Sequence, residues 1–279
     1  MSNKFDPKKP SEGHFTDHNQ ELYRSVEAVA NSDLLLVERN PSDVIWSREA
    51  PSDPTKTAAK DYGTAVHTGL LEPELFDKSV LVFGATKTRN TKAFEEFEAE
   101  NKGKIVLLES EYDQLRLTVA SAKAHPSVNR FLFELESVRE GSIYVKDKER
   151  DIMRKIRPDN NFLPGVPLIG DVKTTSDIGA WRENVRWRNP LFTLNYGHGA
   201  AFYLDTASLH YGENIDEYLY LLISKSAELG RYAVAPITIT REELEQYGFF
   251  DRMRNNLDKY AECYHSGNWF GVERFPRFN

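Results

Sequence analysis

The sequence predicts an α/β fold, a central mixed β-sheet flanked by helices, from three observations. Residues 152–157 and 168–173 read as two strands separated by turn residues. The runs 217–224 and 232–240 have strand composition, and helical patterns stand before and after the strands. Taken in order, residues 1–18 are polar, with Pro, Gly, Asp and His, and read as a flexible segment, leaving 19–279 as one domain. His14 and His18 within that segment have the spacing of a metal pair but are given no role. Helical character covers about Asn19 to Glu38, a Pro-Ser-Asp loop runs to Thr57, and a helix from about Thr57 through Leu71 carries His67. Asp113 to Ala124 and Ser127 to Leu135 read as helices broken at Pro126. The sheet then forms from about Ser142 to Lys173, with Asn160 to Pro167 as its turn. Thr240 with Glu243 forms a capping-box pattern, and Arg241 to Tyr264 reads as the last long helix.

The strands around residue 160 carry the chemistry. Arg157-Pro158-Asp159 is followed, eleven residues later, by Asp171-Val172-Lys173. Antiparallel neighbours would bring Asp159 and Asp171 together. Two convergent carboxylates meet the oxygen-ligand demand of Mg²⁺ while leaving positions for water and a phosphate. Lys173, two residues beyond Asp171, projects from the same face of an extended strand and can orient a water or stabilise developing negative charge. Taken alone, so short a pattern is more often a turn residue and a surface ion pair.

Further along the chain the pattern resembles the RecE-type exonucleases of phages and prophages, members of the PD-(D/E)XK nuclease superfamily. Asn31-Ser32-Asp33-Leu34 with Asn40-Pro41-Ser42 resembles their opening helix and its end. Tyr62-Gly63-Thr64-Ala65-Val66-His67-Thr68-Gly69-Leu70-Leu71-Glu72-Pro73 is similar to a signature whose histidine is a metal ligand. Glu140 to Tyr144 resembles the strand entering the site, and Asp171-Val172-Lys173-Thr174-Thr175 the catalytic strand. Tyr196 to Asp205 resembles the following helix, with Gly199 where relatives usually carry a glutamine and with the later tyrosine present as Tyr203. His198, one residue from Gly199, faces about 100° away on a helix and is a poor substitute. The tail, Leu257 to Trp269, resembles the closing helix and a Trp-containing turn.

The resemblance implies a restriction-endonuclease-like PD-(D/E)XK core and a Mg²⁺-dependent exonuclease acting on double-stranded DNA ends, with Mn²⁺ able to substitute. Relatives digest the 5′-ended strand and leave a 3′ overhang for recombination by a single-strand annealing protein. They also form rings around DNA, so a homo-oligomer, a tetramer, is expected here. His67, Asp159 and Asp171, with the Val172 carbonyl, would hold one or two ions. Lys173 would orient or help deprotonate the water, and Glu140 would position water or support the ligands. The alternatives are a RecB-like or Cas4-like nuclease without an iron–sulfur cluster and a non-catalytic DNA-binding module on the same fold.

Composition narrows the reading. With 279 residues, 40% of them apolar, the chain can bury one sizeable core. It has no run of about 18 apolar residues, no membrane partner is expected, and its first residues lack a signal-peptide core, so a cytoplasmic enzyme is expected. Its single cysteine, Cys263, excludes an internal disulfide and a cysteine-bound cluster, and reads as a packing thiol. The net charge of −7 argues against broad coating of DNA and for a local basic surface. Arg182, Arg186 and Arg188, interleaved with Trp181 and Trp187, are the DNA-contact candidates, with Arg182 and Arg186 on one face if the segment is helical.

Overall fold

A computed structural model describes residues 5–51, 58–228 and 230–271. The N-terminal part contains β1 (Gly13–Phe15), α1 (Gln20–Ser25), α2 (Asn31–Arg39) and α3 (Ser42–Glu49). Next come α4 (Ala58–Leu71), α5 (Pro73–Ser79), β2 (Val80–Phe83), α6 (Lys92–Glu100), β3 (Ile105–Leu108), α7 (Glu109–Ala124) and α8 (Pro126–Asn129), which runs on into a π-turn at Arg130–Glu134. The central strands are β4 (Val138–Arg139), β5 (Ser142–Asp147), β6 (Ile152–Ile156), β7 (Asn160–Asn161) and β8 (Leu168–Thr175). After a 3-10 turn at Gly179–Arg182 come α9 (Pro190–Thr193), α10 (Tyr196–Tyr211), β9 (Glu217–Glu228), β10 (Arg231–Thr240), α11 (Arg241–Gln246) and α12 (Phe249–Ser266).

The main sheet has the order β10-β9-β8-β7-β4, and it is mixed because β8 and β9 run parallel while its other pairs are antiparallel. Successive side chains of β9 serve opposite layers. Tyr218, Tyr220 and Leu222 join the core built with α2, α10 and α12, whereas Leu219, Leu221 and Ile223 join the core built with α4 and α7. A strand covered on both faces needs a near-continuous apolar run, and residues 218–223 supply one. Ala200, Ala201, Phe202, Leu204 and Ala207 bury α10 within the first layer. A second, antiparallel sheet, β1-β5-β6, and a parallel pair, β2-β3, complete the structure.

Several expectations are corrected. Residues 5–18 are packed: β1 pairs with β5, and Phe5, Phe15 and His18 gather around the buried Tyr144 with ring centroids 5.5, 5.5 and 5.7 Å from it. A polar sequence conceals this because its apolar residues are few and all spent on one ring. The helix expected over 19–38 breaks at Val26–Ala30, where Val29 donates to the Met153 carbonyl (2.8 Å) and accepts from the Lys155 amide (2.9 Å), so tertiary pairing overrides helix propensity. The loop expected after Asn40 opens with α3, which begins after Pro41, a residue whose φ of −53° suits a helix start. Residues 52–57 of that loop lie outside the described residues. The long C-terminal helix is divided at Gly248, which adopts φ 80° between α11 and α12. α5, β2, α6 and β3 have no counterpart among the elements expected from the sequence.

One correction concerns the site directly. The strand over 152–157 does not pair with β8, because it belongs to the other sheet. Asp159 reaches Asp171 through β7, whose Asn160 and Asn161 lie opposite Gly170 and Ile169. Gly170 is constrained by a close approach: a Cβ on it would lie 2.5 Å from the Leu219 carbonyl oxygen and 2.9 Å from the Leu219 Cβ. Gly170→Ala should therefore destabilise the protein by about 1–3 kcal/mol through overpacking and displace Asp171. Urea unfolding checks this, and a wild-type midpoint would show that β8 and β9 have room to separate.

Candidate active site

Four elements meet at one point. α4 presents His67, the β4–β5 connection presents Glu140, the β6–β7 connection presents Asp159, and β8 presents Asp171 and Lys173. His67 Nε2 lies 2.9 Å from Asp159 Oδ2 and 3.3 Å from Glu140 Oε1. One ligand atom from each of His67, Glu140 and Asp159 can be chosen so that all lie within 4.8 Å of one another. The Val172 amide donates to Asp159 Oδ2 at 2.7 Å, which makes the β8 backbone the anchor of that carboxylate. Asp171 sits on the other side of the same anchor: its Oδ1 accepts from the Asp159 amide at 3.4 Å, and its Oδ2 accepts from Lys173 Nζ at 2.8 Å. Tyr203, on α10, donates to the Arg157 carbonyl at 3.5 Å.

Glu140, expected to position water or support the ligands, stands among the possible ligands themselves. Arg157 explains its position. The Arg157 guanidinium donates to Glu140 Oε2 (2.8 Å), to the His18 carbonyl (2.6 Å) and to Ser142 Oγ (2.9 Å). Glu140 has φ 53°, a left-handed conformation uncommon for a residue with a side chain, and costs of about 1–3 kcal/mol for such conformations persist only where the surroundings impose them. Arg157 stood in plain view beside Pro158-Asp159, but its partner is 17 residues away in sequence and nothing local points to it.

The charges are strongly interdependent. Burial opposes charge on His67, but the Asp159 and Glu140 carboxylates outweigh it and push the imidazole up to about 9. Burial, followed by the negative charge of Asp159, pushes Glu140 up to about 7. Burial would raise Asp159 as well, yet His67 and Lys173 hold it below the usual carboxylate range. Asp171 is raised by burial against the pull of Lys173, and Lys173 is raised because Asp171 and Asp159 outweigh its own burial. Lys173 is thus an ammonium at any working pH, a donor that cannot accept a proton.

The group fits a divalent cation. One imidazole nitrogen and two carboxylate oxygens converge, with His67 Nε2 between the two carboxylates, a donor set suited to Mn²⁺ or, with water completing the shell, Mg²⁺. A cavity of about 710 Å³ adjoins the group and is lined by Asp171, Lys173, Asn31, Tyr196, Tyr203 and Tyr220, among others.

The arginine cluster is arranged differently from expectation. The segment is helical only through Arg182, so Arg182 and Arg186 share no helix face. Arg186 lies over the Phe192 ring at 5.0 Å, and Arg188 pairs with Glu183 at 3.2 Å and Asp177 at 3.9 Å. Trp181 is buried against Tyr196 and Tyr220, whereas Trp187 is 77% exposed, so the two tryptophans do not form one inward face. Among the described residues lining the cavity, none of the three arginines is found. His198 is buried in the core, and no described helix is long and apolar enough to cross a membrane.

A family model described as "PDDEXK-like domain of unknown function (DUF3799)" matches residues 42–271. Among solved structures, the chain is similar to a crystal structure described as a "putative exonuclease" from Eubacterium rectale. The two share 14% sequence identity with a TM-score of 0.59, over 90% of this chain and 91% of the other. At that identity the likeness shows the fold. No curated protein matches.

The raised His67 value sets a pH dependence for metal binding. Below about 9 the imidazole carries a proton in the metal-free protein, and a ligand must be neutral, so affinity should climb as pH rises toward 9. Mn²⁺ titrated at pH 7 should release about one proton, read by calorimetry in buffers of different ionisation enthalpy. His67→Ala should remove the imidazole's share of that release, leaving only what Glu140 gives up, and weaken binding about tenfold or more. Proton release unchanged in this variant would return His67 to a packing role.

Proposed function

The chain belongs to the family of PDDEXK-like domains described as DUF3799, and we propose that it is a divalent-metal-dependent deoxyribonuclease that hydrolyses duplex DNA from an end. The convergence of His67, Glu140 and Asp159 beside the Asp171–Lys173 pair carries this reading, because it sets a cation site next to a fixed ammonium, and Asp171 and Lys173 line an open cavity. A non-catalytic module would have no use for a lysine buried against two carboxylates.

His67 Nε2, Glu140 Oε1 and Asp159 Oδ2 would hold the ion, with Asp171 and the Val172 carbonyl completing its surroundings or serving a second one. Bound there, the ion would polarise the scissile phosphate and lower the pKa of a coordinated water. The Val172 amide holds Asp159 in place, and Arg157 does the same for Glu140, so neither carboxylate must reorganise. Lys173 Nζ, charged throughout, orients water and neutralises negative charge growing on the phosphate. Deprotonation of the water by Lys173, the other role considered from sequence, is disfavoured by its raised pKa.

The RecE-type pattern extends the proposal to 5′-to-3′ digestion that leaves a 3′ overhang for a single-strand annealing protein in recombination. It also extends it to a homo-oligomeric ring, a tetramer, working in the cytoplasm. Encirclement suits a chain of net charge −7, since topology can retain DNA where broad electrostatic attraction cannot.

Duplexes labelled at the 5′ or 3′ end, incubated with Mg²⁺, Mn²⁺ or EDTA, test the reaction. Asp159→Ala and Asp171→Ala should lose cleavage by about a hundredfold or more with the fold intact, whereas Lys173→Ala should keep metal affinity and lose turnover. Cleavage retained in both aspartate variants would sink the assignment.

A role for Arg182, Arg186 and Arg188 along the DNA path is tested separately by replacing all three with Gln. Loss of three phosphate contacts should lower the slope of log affinity against log salt by roughly 2 to 3, with single-turnover cleavage at saturating DNA much less affected. An unchanged slope would remove these arginines from the DNA path and leave the metal site standing.

A further inference from the structure

The cavity beside Asp171 and Lys173 is also lined by Asn31, the first residue of α2, and by Gly199 of α10. Behind Asn31 runs a chain of polar groups, buried at His198 and Asn256 and half-exposed at Glu38 and Arg252, whose hydrogen-bond directions can be assigned. Glu38 is paired with Arg252 at 2.7 Å through both oxygens. Its carboxyl is held below the usual range, chiefly by Arg252. Next in this chain of groups, Asn256 presents Nδ2, an NH₂ group that can only donate. That same Nδ2 lies 3.1 Å from His198 Nε2, which is therefore the acceptor. His198 is wholly buried, and burial together with Arg252 pushes it down to about 4, so the ring is neutral. A neutral ring that accepts at Nε2 carries its proton on Nδ1 and donates it to Asn31 Oδ1 at 2.7 Å.

The direction of the chain decides what Asn31 offers. Its carbonyl end is committed to His198, so its NH₂ end faces Gly199, where an added Cβ would lie 3.4 Å from Nδ2. Because Gly199 has no side chain, the amide nitrogen is left open to the cavity. We propose that Asn31 is a substrate-binding residue whose Nδ2 donates a hydrogen bond to an acceptor oxygen of the DNA strand seated beside Asp171 and Lys173. The proposal rests on the nuclease reading and deepens it. A donor oriented through the buried His198 and Asn256 loses little orientational freedom on meeting the strand.

Two substitutions separate this role from a structural one. Asn31→Asp keeps an oxygen to accept from His198 and removes the donor facing the cavity; a carboxylate in the first turn of α2 also suits the helix dipole. It should melt at the wild-type temperature or above while raising KM for duplex DNA about tenfold or more, with a smaller change in kcat. Gly199→Ala removes a mid-helix glycine, which favours folding, and places a methyl over the Asn31 amide. It should also raise KM at undiminished stability. Metal-dependent cleavage by the wild-type protein is the reference. If the wild-type protein cleaves and both variants retain its KM, the Asn31 assignment is overturned while the nuclease reading stands. If the wild-type protein neither binds nor cleaves DNA with Mn²⁺, both fall together. A loss of melting temperature in both variants that tracks their loss of binding would make the network structural.

Discussion

Crowding three carboxylates into one partly buried site is the constraint around which this protein is organised. Two unit charges about 4 Å apart repel by roughly 4 kcal/mol at an effective dielectric constant near 20, so Glu140, Asp159 and Asp171 cannot stand together uncompensated. Each is met by a cation from a different place in the chain: Arg157 at Glu140, His67 at Asp159 and Lys173 at Asp171. The elements that deliver these cations are the ones the two cores hold rigid. α4 is seated through Ala65, Val66, Leu70 and Leu71, and β8 through Ile169 and Val172. Removing one cation would leave a buried charge unpaired, which costs more than the pair itself contributes.

Arg157 connects this balance to the periphery. Its guanidinium ties Glu140, Ser142 of β5 and the His18 carbonyl into one hydrogen-bonded set. β1 and the aromatic group around Tyr144 hold His18 where that carbonyl is needed, and the His18 Nδ1 lies 3.2 Å from the Tyr144 hydroxyl. The N-terminal residues thus bear on the geometry of a carboxylate far from them in sequence. The left-handed backbone of Glu140 is sustained by the same set, so strain and hydrogen bonding at that residue have a common origin.

The order of elements and the core of the site were legible because they depend on local signals. Alternation marked β6, a capping box marked the start of α11, and Asp171 and Lys173 stood at strand-period spacing. The family pattern singled out His67, which no period could have done. What escaped the sequence is long-range. Partnering of β7 with β8 in place of β6, the docking of residues 13–18, and the convergence of Glu140 on His67 all join residues with no shared period. Segments 73–83 and 92–108 escaped for another reason: their helices and strands are short, and Phe83, Phe94, Val106 and Leu108 form a small core of their own.

The acidity of the chain becomes intelligible once its cations are traced. Lys155, which lines the cavity, spends its ammonium on the carbonyls of Tyr23, Arg24 and Val26 at 3.2, 3.3 and 2.7 Å, and Arg48 is shared between Asp33 at 3.4 Å and the Tyr260 hydroxyl at 3.3 Å. Positive charge at the cavity is therefore largely engaged in holding the protein together. Lys173 is likewise committed to Asp171. A phosphate strand entering there would meet an oriented neutral donor, the Asn31 amide, as much as free cations, since the Tyr23, Tyr203 and Tyr220 hydroxyls already donate to backbone carbonyls. Such a surface discriminates by geometry, whereas one of unpaired lysines would bind any polyanion. Under the proposed function the net charge of −7 is then compatible with a DNA substrate, because binding at the site would draw on placement and on an ion that His67, Glu140 and Asp159 would hold more than on the field of the whole molecule.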